Sequence, residues 1–372
     1  MRLAIDLIWV KPKNNGGIES YIRNLLDGFM AGKDKNQYVL FCAMDNADTF
    51  KEYLKDDRFS MEVCPVSAFK VAKRIIWHNL NFNRLLVKKG IKNCFMPVYC
   101  KPLRKCKKVK YVTTIHDLQQ LHFPEYFSKN RRRWMMFSWK RTVKTSDCII
   151  AISNWVKDDI MENFGNENTD IRVIYNPIIV DNKMSDFTEL SKKYDIKENE
   201  FYFVLSSMLK HKNIMTAIKT VEKIIKDDID LPKKLVIAGI SESDENRIVT
   251  YIKEHGLENN CIMAGFISNG DRNALFDKAY AFLFPSVFEG FGMPVVEGMM
   301  LGCRVITTKC TSIPEVSKNL AVYVDDPYDV NQWIDKLKSV KNMEKKKYEF
   351  KEYDKSYVAG RYLEVFEDIF QK

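Results

Sequence analysis

The chain has 372 residues, 46% of them hydrophobic and 29% charged, and a formal net charge of +10. That length suffices for two domains with separate cores, and the composition is that of a soluble globular protein rather than a fibrous or disordered one. No apolar run approaches the ~18 residues of a membrane span.

Nine cysteines are scattered without a C-x-x-C, which predicts free thiols in a reducing cytoplasm. Five histidines show no metal-ligand spacing, so no protein-bound metal is expected. The charge is uneven. Residues 1–182 hold 31 Lys or Arg against 19 Asp or Glu, and residues 101–150 hold 13 against 3. A cationic first half predicts an anionic partner on that half.

In chain order, MRLAIDLIWV carries Asp6 inside its apolar run and no small-residue cleavage site. It reads as a first strand rather than a signal peptide. Gly16 and Gly17 follow in a loop ahead of a helix from Ile18 to about Met30. They either close the loop or contact a ligand, because open α/β sheets bind ligands at the carboxyl ends of their strands. QYVLFCA, FSMEVCPV and NCFMPVY are further strands, with an amphipathic stretch from Val71 to Lys88 between the last two. The alternation predicts parallel sheets covered by helices, the doubly wound class.

KYVTTIHDL is a buried strand ending in His116 and Asp117. A lone histidine is often structural. At a strand tip it borders the cleft, where a near-neutral pKa and two ring nitrogens suit a hydroxyl contact or a proton transfer. Ser128 to Thr145 mixes seven Lys or Arg, among them Arg131, Arg132, Arg133, Lys140, Arg141 and Lys144, with Trp134, Met135, Met136, Phe137 and Trp139. That helix either packs on the core with a solvated charged face or lies on an anionic membrane, aided by KPLRKCKKVK at 101–110. Nucleic acid is the competing partner, but no nucleic-acid motif accompanies these segments. CIIAISNWVKDDI is a strand into a helix capped by Ser153 or Asn154, and Asn176-Pro177 marks the crossing between domains.

The second half restarts the alternation with FYFVLSS, then MLKHKN leading into a helix from about Ile214. Lys212 stands near that helix start, where a cation beside free N–H groups is unfavourable unless an anion joins them. KLVIAGI and CIMAGFI follow, the latter ending in Phe266 and Ile267. AYAFLFPS is a buried strand, after which come Glu289, Gly290, Phe291, Gly292 and Met293. Pro294 suits the first position of a helix, Glu297 falls in its first turn, and CRVITT is the next strand. This βαβ unit aims free N–H groups at whatever lies over the glycine loop, and a diphosphate fits there. Two carboxylates at eight-residue spacing suit sugar hydroxyls, whereas one alone would be a solvated first-turn residue. The dinucleotide fingerprint is absent, since Val295 holds its last position.

The run EGFGMPVVE, with PS before it and GCRVIT after it, resembles the E-x7-E signature of retaining glycosyltransferases of family 4. The resemblance implies the GT-B fold, two Rossmann-like doubly wound domains facing a central cleft. Residues 1–178 would be the acceptor-binding domain and 179–355 the nucleotide-sugar domain, with a final helix at about 356–372 packing back on the first. It also implies roles. Glu297 would hold the ribose and Glu289 the donor sugar, and the amides from Gly290 to Met293 would hold sugar or phosphate. Gly16, Gly17 and His116 would lie beside the donor, with Asp117 as a companion. Ser207 and Lys212 would sit at the diphosphate, where the family has an arginine or small residue and then a lysine five positions on, and Lys210 would substitute for the missing arginine. The turn of Phe266 and Ile267 would flank the base.

Together these readings predict a metal-independent, cofactor-free hexosyltransferase taking a UDP- or GDP-linked sugar. Its acceptor would be a glycan, lipid-linked, in polysaccharide, capsule or O-antigen assembly. It would act in the cytoplasm, peripherally on the inner face of the membrane. A GT-B epimerase or phosphorylase, or a basic nucleic-acid-binding protein, is the alternative.

Overall fold

The structure is a computed structural model describing residues 1–12, 16–99, 101–165, 167–181, 183–240 and 247–371. Two units emerge, 1–178 with 351–372, and 179–350. The first contains β1 Arg2–Asp6, α1 Gly16–Ala31, β2 Gln37–Ala43, β3 Phe59–Cys64, α2 Val71–Trp77, α3 Asn83–Lys88, β4 Asn93–Met96 and β5 Lys110–Ile115. It continues through α4 Gln119–His122, α5 Lys129–Thr145, β6 Cys148–Ala151, α6 Asn154–Phe164 and β7 Ile171–Val173. The second contains α7 Phe187–Tyr194, β8 Phe201–Leu205, α8 Ile214–Lys226, β9 Lys234–Ala238, α9 Arg247–Glu254, β10 Cys261–Gly265 and α10 Asn269–Lys278. β11 Ala281–Phe284, α11 Met293–Met300, β12 Val305–Thr308, α12 Ile313–Val316, β13 Val322–Val324 and α13 Val330–Ser339 complete it, and α14 Lys355–Gln371 returns to the first unit.

Each unit is built on one parallel sheet. The orders are β3-β2-β1-β4-β5-β6-β7 and β10-β9-β8-β11-β12-β13. Helices on both faces bury such strands completely, which is why AFLF and CIIA are unbroken apolar runs. In both sheets the strand order reverses after three strands, between β1 and β4 and between β8 and β11. Connections on either side of such a reversal splay apart and leave a crevice at the carboxyl ends of those strands, where ligands of doubly wound sheets bind.

Local signals set the helix ends. Ser128 caps α5 by accepting from Arg131 N, and Ser153 caps α6 by accepting from Val156 N at 3.1 Å. Helix α1 begins at Gly16, so both glycines lie in its first turn rather than in the loop before it. The φ of +48° at Gly16 is a left-handed conformation that glycine adopts without strain.

The return to the first unit starts at Lys351, earlier than the helix pattern alone indicates. Tyr353 is fully buried and its carbonyl accepts from Ile178 N at 2.8 Å, which ties this turn to the first unit. Beyond it, Val358, Tyr362, Val365 and Phe366 enter the core beside α1. A Cβ added at Gly28 would meet the Lys355 carbonyl oxygen at 2.3 Å, so the two helices touch backbone to backbone. No described helix is long and apolar enough to cross a membrane.

Candidate active site

In the second unit, the switch point between β8 and β11 gathers most of the predicted residues. The segment after β11 is strapped down by side chains of the loop after β12 and by a backbone carbonyl of the loop after β8. Thr311 Oγ1 accepts from Glu289 N and donates to Glu289 O, both at 2.9 Å, and Ser312 Oγ donates to Glu289 O and Phe291 O at 2.9 and 3.2 Å. Ser286 Oγ and Val287 N both donate to His211 O, at 3.3 and 2.8 Å. The loop after β8 and the loop after β11 are therefore one braced structure.

That brace sets the geometry of the first glutamate. Lys212, in the turn before α8, places its Nζ 2.7 Å from Glu289 Oε1 and 2.9 Å from Oε2. Both side chains are largely buried, at 18% and 11% exposure. The sequence argument that Lys212 needs an outside anion changes accordingly, because Glu289 supplies one. Ser207 lies half-buried on the same β8 loop, and Lys210 is exposed two residues before Lys212.

Helix α11 starts from Gly292, whose φ of +90° and ψ of +47° place it in the left-handed region. No side chain caps this end, and Pro294 occupies the second helical position rather than the first. Pro294 has no N–H and Val295 N donates to Gly292 O at 3.0 Å, so the N–H groups that this helix start can turn to a ligand are those of Gly292 and Met293. Gly290, Phe291 and Met293 are buried around the turn.

Glu297 falls in the second turn of α11, not the first, because the helix begins at Met293. It is 7% exposed and its carboxylate pairs with Arg272 Nη1 at 3.2 Å. Burial pushes the Glu297 carboxyl above its ordinary range, and the Arg272 guanidinium opposes that rise. Arg272 is a residue that sequence reasoning missed. It sits on α10 in a polar, exposed-looking run, and nothing in the spacing links it to Glu297.

The carboxyl ends of β8, β9 and β10 are tied together by Gly239. Its N–H donates to Gly265 O at 2.8 Å, and a Cβ there would meet Ser206 O at 2.3 Å. Past Gly265, Phe266 is 78% exposed and Ile267 half-buried.

The first unit holds the other predicted residues, also at its switch point. His116 directly follows β5, and its Nε2 lies 2.8 Å from Pro97 O in the connection after β4. A carbonyl only accepts, so Nε2 carries the proton and Nδ1 is the acceptor of this neutral ring. The ring packs edge-on against Tyr21 of α1 at 4.7 Å, which joins His116 to the helix opened by Gly16 and Gly17. Burial drives the His116 pKa down to about 4. The near-neutral titration expected from sequence is thus removed, and the side chain suits a hydroxyl contact rather than proton transfer near neutrality. Asp117 turns back on the chain, accepting from Gln119 N at 3.0 Å. Both glycines are exposed, and among the described residues a Cβ on either would meet nothing within 4 Å.

No group of three or more His, Cys, Asp or Glu among the described residues is arranged to hold a metal ion. What the second unit offers instead is a lysine, an uncapped helix start and two buried carboxylates, which is chemistry for an anion bearing hydroxyl groups.

Comparison with known proteins agrees. Residues 15–182 match the sequence family Glycosyltransferase Family 4, and residues 186–357 match Glycosyl transferases group 1. Over 231 residues the chain is 29% identical to the O-antigen chain mannosyltransferase RfbU of Salmonella typhimurium, covering 62% of this chain and 60% of that one. It spans about three-fifths of the length of the O-antigen mannosyltransferases it matches. A lipopolysaccharide 1,6-galactosyltransferase of the same organism is 25% identical over 80% of this chain and 78% of its own. Among solved structures, HepE of Anabaena in complex with UDP-glucose superposes with a TM-score of 0.67 at 16% identity, covering 100% of this chain and 95% of that one. With two consecutive domain matches spanning nearly its whole length and the two-sheet fold of such enzymes, the chain belongs to the family 4 glycosyltransferases of the GT-B fold.

Proposed function

We propose that this protein transfers a hexose from a nucleotide diphosphate sugar to a hydroxyl of a glycan acceptor, with retention at the anomeric carbon and without a metal. The observation that carries the reading is the bidentate Lys212–Glu289 pair beside the uncapped start of α11, with Glu297 buried on the same helix.

In this reading the bond between the anomeric carbon and the phosphate oxygen breaks while the acceptor oxygen bonds to that carbon. The acceptor proton passes to the departing phosphate on the same face. Lys212 and the first N–H groups of α11 meet the charge that builds on the leaving diphosphate. Glu297 accepts from the ribose hydroxyls, Glu289 from the donor sugar, and His116 Nδ1 from a further sugar hydroxyl. Ser207 and the turn at Phe266 and Ile267 border the nucleotide.

The acceptor is a lipid-linked glycan of a cell-surface polysaccharide, and the enzyme works peripherally at the inner face of the cytoplasmic membrane. Its named O-antigen and lipopolysaccharide relatives support this choice. A thermal-shift panel of UDP- and GDP-sugars tests the donor, since a ligand held only by the folded protein raises its melting temperature. One nucleotide sugar should stabilise the wild type and leave Glu297→Ala unmoved. No response to any member would remove the proposal.

A further inference from the structure

The structure assigns an anionic-lipid docking surface to one side of the first unit, made jointly by α2 and α3, the basic segment 101–108, and α5. It rests on the proposed lipid-linked acceptor only for its purpose; its evidence is separate. From Val63 to His116 the sequence contains 13 Lys or Arg and no Asp or Glu, and α5 adds seven more with none. A solvated face of a cytoplasmic domain ordinarily mixes both signs.

Hydrogen bonds fix these three pieces side by side. Asn79 Oδ1 accepts from Leu103 N at 2.8 Å and Asn83 Nδ2 donates to Arg104 O at 2.9 Å, so the helical stretch 71–88 grips the basic segment from one edge. From the other edge α5 holds it. Arg141 Nε donates to Leu103 O, Thr142 Oγ1 donates to Tyr99 O, and Lys101 Nζ donates to Thr145 O, at 2.8, 2.8 and 2.6 Å. Arg104, Lys105, Lys107 and Lys108 remain exposed between the two helical edges.

Apolar side chains flank this cationic strip on both sides. On α5, Trp134 and Phe137 are 37% and 52% exposed with ring centroids 6.2 Å apart. With Arg141 they fall at i, i+3 and i+7, the helix line that faces the basic segment. On the other flank Ile76 and Leu80 are 60% and 57% exposed, one turn apart and next in line to Asn79 and Asn83. A strip of lysines and arginines flanked by exposed aromatic and aliphatic side chains matches a bilayer interface. Its headgroups take the cations, and its acyl boundary takes Trp, Phe, Ile and Leu. A soluble polyanion would satisfy the lysines but leave the Trp, Phe, Ile and Leu side chains in water.

Sedimentation of the full-length protein with phosphatidylcholine vesicles, with and without phosphatidylglycerol, tests the surface. Wild type should partition onto the anionic vesicles and release as salt rises. Each surface lysine contributes about fivefold to partitioning, so Lys105→Glu, Lys107→Glu and Lys108→Glu together should weaken it about a hundredfold or more. The same three reversals in the second unit, at Lys226, Lys253 and Lys338, should change it little. Trp134→Ser with Phe137→Ser should also weaken partitioning, and leave a residue that salt removes more readily.

Equal partitioning onto both vesicle types, or an undiminished triple variant, overturns the assignment. So does salt-steep binding to duplex RNA with no vesicle binding, which would give the surface to nucleic acid. Vesicle binding needs no turnover, so its loss and the loss of donor binding in the thermal-shift panel are distinguishable failures.

Discussion

Lys212 Nζ meets both carboxylate oxygens of Glu289, at 2.7 and 2.9 Å, across a separation of 77 residues. The pair makes the two residues act as a unit: a diphosphate arriving at α11 must share the ammonium with Glu289, or displace it. Lys212→Ala should therefore lower kcat by about a hundredfold to a thousandfold, the usual loss when one preorganised partner of developing charge is removed. Glu289→Gln should act in the opposite sense on binding. It frees the ammonium for phosphate, so the nucleotide diphosphate should bind at least as tightly as to wild type while transfer falls. Calorimetry with the nucleotide alone, set beside kcat, separates the two. Equal loss of nucleotide affinity in both variants would show that the pair is structural.

The buried Glu297 carboxylate predicts an opposition between stability and function. Its pKa is raised in the folded protein, so the stability it gives is complete below the ordinary carboxylate pKa and is lost as pH rises through the raised value. Glu297→Gln should lack that loss and melt higher than wild type at neutral pH, while losing nucleotide binding. Arg272 opposes the rise. Arg272→Gln should therefore move the acidic limb of nucleotide affinity to higher pH, because Glu297 then stays protonated longer. Melting temperatures and nucleotide affinity measured across the acidic range check both signs.

How much of this was legible depends on distance along the chain. The loop, helix and strand around EGFGMPVVE are local, and composition, glycine placement and the proline sufficed to place them. The cap at Ser153 and the helix after Ser128 were legible for the same reason. Lys212–Glu289 and Arg272–Glu297 were not, since each joins loops or helices whose contact is set by sheet order. The second-turn position of Glu297 was missed because the left-handed Gly292 starts the helix at Met293, one residue before Pro294. His116 was found as a strand-tip residue, but its depressed pKa follows from burial, which the hydrogen bond to Pro97 only opposes, and no pattern in KYVTTIHDL announces that burial.

His116 also sets an acid limit on the fold. The unfolded chain takes a proton at this histidine below pH ~6.5, while the folded protein refuses it down to about 4. Stability present above pH ~6.5 is thus lost as pH falls toward 4, by up to about 3 kcal/mol. His211 is also buried, with its pKa pushed down to about 3, and adds to the same limb. His116→Gln should flatten part of the acid limb of a melting-temperature profile. If His116 serves as a hydroxyl acceptor, transfer by wild type should show no limb near pH 6.5 from this residue.

Two glycines at the carboxyl edge of the second sheet should fail in different ways when changed to alanine. Both have positive φ, +87° at Gly239 and +90° at Gly292, so each substitution carries the backbone strain of a left-handed alanine, about 1 kcal/mol or more. The space around them differs. A Cβ on Gly239 would lie 2.3 Å from Ser206 O, and backbone on both strands would have to part. The nearest atoms to a Cβ on Gly292 would be side-chain atoms of Glu289 and Ile313, at 3.8 Å or beyond. Gly239→Ala should therefore unfold the second unit or leave it insoluble. Gly292→Ala should fold with a modest drop in melting temperature and lose nucleotide binding, because relieving the strain turns the first N–H groups of α11 away from where the phosphate would sit. Circular dichroism melts beside nucleotide titration would show the contrast, and a Gly292→Ala protein with unchanged nucleotide affinity would remove the helix start from the site.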